Sequence, residues 1–219
     1  MPPRKRDAER TRAKIFSAAI YEFGRNGYTG ARIERIVKRS GCNIRLIYYH
    51  FGSKIGLYRE VVEGAYADLR ASEAELEFNV DDPMASLLRL LEFTMHYFAD
   101  HPELEGIIRS ENETQGRVVA TSSSVGASGK ALTARLVSLV KSGVSKGVFR
   151  SGIDPAHLYL TITAVSRFHL ANAYSMSAVL GVDMQDKVWR ESWNAYAADL
   201  ISRYVAVNGS STVSSNLLP

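Results

Sequence analysis

The sequence predicts an all-helical protein of about nine helices, and three observations carry that reading. Apolar residues recur every three to four positions along most of the 219-residue chain, the spacing that lines one face of an α-helix. No alternating apolar and polar segment is long enough to build a sheet, and no repeat of fixed period occurs. Helix-ending signals punctuate the chain at Asn26-Gly27, Ser40-Gly41, Asp81-Asp82-Pro83, His101-Pro102, Asp154-Pro155 and Gly181.

A first helix over 9–26 carries Ile15, Phe16, Ala19, Ile20 and Phe23 as one stripe, and Asn26-Gly27 stops it. Ile33, Ile36 and Val37 set a short second helix. Ser40-Gly41 then turns the chain into a third at about 43–49, so two short helices flank a glycine turn. Ser53 is placed to cap a fourth helix through Leu57, Val61, Val62, Ala65 and Leu69 to about residue 77. Further helices are expected over 83–100, 103–116 and 130–147, with the Ser/Gly-rich stretch 121–129 as a loop. Asp154-Pro155 supplies a cap followed by proline at the first helical position, opening a long helix to about Leu180. A last amphipathic helix, 184–206, carries Val188, Trp189, Trp193, Tyr196, Leu200, Ile201 and Tyr204. The organisation that follows is a basic flexible arm (1–8), a helix-turn-helix domain (9–52), a second helical domain (53–207) and a Ser-rich disordered tail (208–219).

Charge also divides the chain, a few residues further on. The first 60 residues hold 14 Lys/Arg against 5 Asp/Glu, a net +9, which leaves −5 for the rest of a chain whose net charge is +4. A basic module joined to a mildly acidic one expects a polyanion at its first part only. Cys42 is the single cysteine, so no disulfide joins two parts of the chain. The charged N-terminus has no apolar signal core, and no apolar run reaches 18 residues, so a cytoplasmic protein without a membrane partner is expected.

The most informative constellation runs from Gly41 to Lys54. A helix opening at Asn43 turns Ile47 and Phe51 to the core and aims Asn43, Ile44, Arg45, Tyr48 and Tyr49 outward, toward a DNA major groove wide enough for a helix. Arginine bridges guanine O6 and N7, which makes Arg45 the first candidate for base readout. Tyr48, Tyr49 and His50 offer donors to phosphates, and Lys54 stands at a helix N-terminus that already favours anions. The competing reading packs both tyrosines against the fourth helix. Arg4, Lys5 and Arg6 are open between a minor-groove contact and a solvated arm. Cys42 reads as a small hydrophobe filling the turn.

From residue 11 to 58 the chain resembles the DNA-binding domain of the tetracycline-repressor-like (TetR) family, on Thr11-Arg12, Ala18-Ala19, Phe23, Gly27-Tyr28, Ile33, Ile36, Gly41, Tyr48, His50-Phe51 and Ser53-Lys54. Arg32 is a further DNA-contact candidate. Three positions depart from the family pattern. Ala31 stands where a capping threonine is common, leaving Thr29 or Gly30 as the candidate cap. Glu34 replaces a basic or neutral residue, and Arg45 a small residue or proline.

The resemblance also implies a C-terminal effector cavity, for which Phe93, Tyr97, Ile108, Glu111, Asn112, Phe168, His169 and Asn172 are the candidates. Trp189, Trp193, Tyr196 and Leu200 give the last helices more apolar surface than a solvent-facing pair tolerates. They are the candidates for a two-fold homodimer interface, against burial within one subunit.

Enzyme signatures fail. Gly126-Ala127-Ser128-Gly129-Lys130 lacks the first glycine and the final Ser/Thr of a phosphate loop, and the histidines have no metal-ligand spacing, so no catalytic, cofactor or metal site is expected. The expected function is a sequence-specific repressor, released from a pseudo-palindromic double-stranded operator by a small apolar effector. The alternative is a sequence-tolerant architectural DNA binder without a ligand.

Overall fold

A computed structural model describes residues 5–207, with side chains from Asp7 onward. Arg4, Lys5 and Arg6, as a candidate minor-groove arm, and the tail from 208 lie outside the residues whose side chains are described. Ten α-helices and one 3-10 turn make up the described chain, with no strand beyond a single bridge between Phe149 and Ala206.

The packing divides into two compact units. One holds Met1–Leu69 with His101–Ser128, the other Arg70–Asp100 with Gly129–Pro219, as far as these are described. The sequence places a boundary after residue 52. The packing instead divides the chain within two of its helices and gives a later segment to the N-terminal unit.

The first unit contains α1 (Lys5–Gly30), α2 (Ile33–Ser40), α3 (Ile44–Phe51), most of α4 (Lys54–Ala74), α6 (Pro102–Glu113) and the 3-10 turn Val119–Thr121. Helix α1 begins at Lys5, so residues 5–8 are helical where an arm was expected. Gly27 breaks its regularity with φ 63°, ψ 179°, a conformation that side chains with a Cβ avoid. The core is Ile15, Ala19, Phe23, Ile36, Ile47, Leu57, Val61 and Ile107, all fully buried. Helix α1 packs most extensively on α6, where glycines face each other: a Cβ on Gly106 would collide with the Gly24 carbonyl, and one on Gly24 would stand 2.7 Å from Glu103 Cβ.

The second unit contains the end of α4, then α5 (Pro83–Asp100), most of α7 (Ser123–Ser145), α8 (Pro155–Ala171), α9 (Ala173–Leu180) and α10 (Lys187–Val205). Leu87, Leu90, Leu136, Leu158, Ile162, Ala197, Ile201 and Val205 form its core. Asp154 caps α8 through the amides of Ala156 and His157 at 2.7 and 3.0 Å, as expected.

Two expectations fail. The stretch 121–129 is not a loop, because α7 starts at Ser123. Ser122 Oγ accepts the Val125 amide at 3.4 Å, and the Ser128 hydroxyl is satisfied by the Val125 carbonyl at 3.0 Å, so the serines work as caps and helix-bonded groups. The long helix to Leu180 is two helices, parted at Asn172, whose Nδ2 bonds the Phe168 carbonyl at 2.9 Å. That break accounts for ten helices where nine were expected.

Candidate nucleic-acid interface

In the first unit, Gly41 takes the left-handed conformation at φ 67° and bonds its N–H to the Val37 carbonyl, which closes α2 and reverses the chain. Asn43 then caps α3 by accepting the Arg45 amide at 2.9 Å. Its side-chain oxygen is committed to that cap, so only Nδ2 is left for a groove. Two turns of helix follow, anchored by Ile47 and Phe51. Ser53 Oγ accepts the Gly56 amide at 3.0 Å and opens α4.

With Ile47 and Phe51 inward, α3 turns Ile44, Arg45, Leu46, Tyr48 and Tyr49 to solvent. Leu46 was not among the sequence candidates. Its place on α3 was legible, but an apolar residue reads as core. Tyr49 is 79% exposed, so its packing against α4 is excluded, and its ring meets only the edge of neighbouring His50 at 5.1 Å among the ring contacts of α3. Tyr48 is 46% exposed. His50 is half-buried between Tyr49 and Phe51.

Lys54, at the first position of α4, places Nζ 4.8 Å from the centre of the Tyr28 ring. Partial burial, the largest influence, holds its ammonium below its ordinary value, against the opposing charges of Glu22 and Glu34. Arg12 spans α1, α3 and α4, stacking 5.1 Å over Phe51 and pairing with Glu60.

Neither Thr29 nor Gly30 caps α2. Arg32 stands at the N-cap with no side-chain bond of its own to the helix, and Glu22 of α1 bonds the backbone amide of that N-cap residue. Its Oε1 takes the Arg32 amide at 3.0 Å and pairs with Arg35 at 3.1 Å, while the residue is only 5% exposed. A carboxylate at a helix N-terminus is favoured by the helix dipole. The Arg32 side chain stays exposed.

The eight effector candidates are distributed over both units. Ile108, Glu111 and Asn112 belong to the first unit, where Glu111 Oε2 accepts the amides of Val118 and Val119 at 3.0 and 3.1 Å and so holds the turn after α6. Asn112 is exposed and bonds back to the Ile108 carbonyl. In the second unit Phe93 and Tyr97 pair at 5.4 Å on α5, and Phe168 is 55% exposed. Buried His169 lies against Trp189 and Trp193, at 5.9 and 5.7 Å, and Asn172 forms the break after α8.

Of the four dimer candidates, Trp193 is partly used within its own subunit, its Nε1 donating to the Val165 carbonyl at 3.0 Å and its ring stacking on Trp189 at 5.7 Å. Tyr196 and Leu200 are exposed. No group of three potential metal ligands occurs among the described residues, and no helix of theirs is long and apolar enough to cross a membrane.

A short, well-anchored helix behind a glycine turn, on a basic three-helix head, defines a helix-turn-helix DNA-binding protein. Comparison with known proteins gives the family. Residues 15–61 match the profile of the bacterial regulatory proteins of the tetR family, and residues 83–201 that of the tetracyclin repressor-like C-terminal domain. The chain is 36% identical to the HTH-type transcriptional repressor NicS of Pseudomonas putida over 91% of this chain and 94% of that one. It is 34% identical to the HTH-type transcriptional repressor SCO4008 of Streptomyces coelicolor, over 74% and 80% of the two chains. A solved transcriptional regulator of Streptomyces coelicolor, SCO4942, superposes with a TM-score of 0.68 at 21% identity, covering 89% of this chain and 98% of the other. The chain therefore belongs to the TetR family of transcriptional regulators.

Proposed function

We propose that the protein is a homodimeric repressor whose two α3 helices read a pseudo-palindromic operator and whose second unit binds a small effector that releases DNA. The observation that carries this reading is α3 itself: Ile47 and Phe51 hold it rigidly while Arg45, Tyr48 and Tyr49 stand clear of the protein. Arg45 reads a base edge, and Tyr48, Tyr49 and Lys54 position the head on phosphates. The naming of NicS and SCO4008 as transcriptional repressors supports the direction of regulation.

Pairing is supported by apolar surface on the second unit. Leu160 and Phe168 on α8, and Val188, Tyr196 and Leu200 on α10, are 40–68% exposed in the single chain. Two-fold burial of these helices removes them from water and sets two α3 helices about one DNA turn, ~34–36 Å, apart. Helix α4 carries the signal, because Lys54 opens it in the first unit and its last turns belong to the second. An effector acts through its difference in affinity for the DNA-bound and free arrangements.

Selection of bound duplexes from random DNA tests the reading. An inverted repeat with a fixed half-site spacing is expected. Binding with steep salt dependence and no enriched motif would instead support the architectural alternative.

A further inference from the structure

The last turns of α4 bury two opposite charges in the second unit. Glu73 is 1% exposed, and its Oε2 pairs with Arg70, whose Nη1 also donates to the Tyr159 hydroxyl of α8 at 2.8 Å. Arg135 of α7 closes the end of the helix, donating to the carbonyls of Glu73 and Leu76. Two backbone carbonyls are thereby satisfied. The side chains are not.

Glu73 and Thr163 both lie within reach of the Tyr159 phenol, yet Glu73 Oε1 and Thr163 Oγ1 are buried without a hydrogen bond of normal geometry, as is Ser166 Oγ. Residues 159, 163 and 166 follow one side of α8 at helical spacing. Helical threonines elsewhere in the chain bond the carbonyl one turn back: Thr94 to Leu90 at 2.7 Å, Thr133 to Gly129 at 2.9 Å and Thr161 to His157 at 2.8 Å. Thr163 and Ser166 leave that option unused.

Leaving such groups open is costly, about 1–3 kcal/mol for each unsatisfied buried atom. Glu73 is also a carboxylate at the C-terminal end of a helix, the end whose dipole repels negative charge. Burial pushes its carboxyl above the ordinary range although Arg70 opposes the shift. A purely structural ion pair has no use for a buried carboxylate oxygen left open. A site completed by a molecule from outside does.

We infer that Glu73, Tyr159 and Thr163 form the polar anchor of the effector site, and that the effector is a small uncharged molecule with an apolar body and an amide-like head. Its N–H donates to Glu73 Oε1, and its carbonyl oxygen accepts from the Thr163 hydroxyl. Arg70 and Arg135 together outweigh Glu73 in charge, which disfavours a cation. The open Glu73 oxygen accepts hydrogen bonds and repels a second carboxylate, which disfavours an anion. This anchor rests on the effector reading above, and it places the ligand on the last turn of the helix that Lys54 begins.

Thermal denaturation of the full chain with four probes of one ring and different heads tests the anchor: benzamide, benzoate, benzylammonium and toluene at equal concentration. Benzamide is expected to raise the melting temperature by a few degrees and by more than the other three. Thr163→Val and Tyr159→Phe are expected to melt cooperatively without probe and to lose most of that shift. A benzamide shift no larger than that of toluene, or one undiminished in both variants, would overturn the anchor. Operator release, followed separately by fluorescence anisotropy, keeps the two readings apart. Benzamide that stabilises wild type through these residues but leaves operator affinity unchanged supports the anchor and contradicts the effector switch.

Discussion

The Ser110 hydroxyl of α6 accepts the backbone N–H of Tyr28 at 2.8 Å, just past the Gly27 kink of α1. The same oxygen accepts the Tyr58 hydroxyl of α4 at 3.1 Å, so one buried atom ties three helices of the first unit together. Burial, the largest influence, pushes the Tyr58 phenol far above its ordinary value and keeps it a donor. Ser110→Ala removes the acceptor that the Tyr28 amide and the Tyr58 phenol share. We expect a loss of about 1–3 kcal/mol in urea denaturation, and a Ser110→Ala/Tyr58→Phe pair that loses less than the two single changes summed.

Gly106→Ala acts on the same junction by overpacking. The added methyl meets the Gly24 carbonyl, which belongs to a helix backbone and has little room to move. A loss at the upper end of ~1–3 kcal/mol is expected, against near-neutrality for Gly126→Ala, whose Cβ meets nothing within 4 Å. Comparing the two denaturation midpoints checks this.

Glu22 separates amide bonding from ion pairing. Glu22→Ala removes the acceptor of the Arg32 amide together with the partner of Arg35, whereas Glu22→Gln keeps an acceptor and loses only the charge. Loss of the hydrogen bond from the Arg32 amide to a charged acceptor is worth about 1.5–3 kcal/mol. Glu22→Ala is therefore expected to be the more destabilised variant and to bind every duplex more weakly in anisotropy titrations, with the order of preference among sequences unchanged.

Arg45 and Lys54 carry different parts of DNA recognition. Arg45→Ala is expected to relax base preference by ~1–3 kcal/mol at one position per half-site. Lys54→Ala is expected to weaken all duplexes alike and to reduce the salt slope by about 1. Equal losses on matched and mismatched duplexes for both variants would contradict this division.

His169 gives the second unit a dependence on acid. Burial, with a smaller contribution from Arg190, holds its imidazole below the ordinary value of 6.5, against the Val165 carbonyl, so the folded chain keeps it neutral where the unfolded chain already takes up a proton. Its contribution is complete above about pH 6.5, is lost as the pH falls from there toward the lowered folded value, and levels off below that. Melting temperatures between pH 8 and pH 5 are expected to fall in wild type and to flatten in His169→Gln.

Much of this architecture is legible in local signals. Asn26-Gly27, Gly41, Ser53, Asp154-Pro155 and Gly181 each act on the backbone within a few residues, and each stands where the structure ends, kinks or begins a helix. What escapes a sequence reading is set by distant partners. Glu22 bonds the N-cap amide of α2 from ten residues away, and Glu111, a plausible ligand group by type, holds a turn of its own unit. Glu73 and Thr163 look like ordinary helix residues until α8 is laid beside the end of α4. The serines before α7 belong to a composition that favours loops, and only their caps make them helical.

The most direct measurement is an anisotropy titration of one duplex carrying the selected inverted repeat and one with the same composition scrambled, both at physiological salt. Two chains per repeat and a preference of ~10³-fold or more over the scrambled duplex are expected, collapsing toward equality with Arg45→Ala. Equal affinity for both duplexes, or tight binding by a single chain, would contradict this expectation.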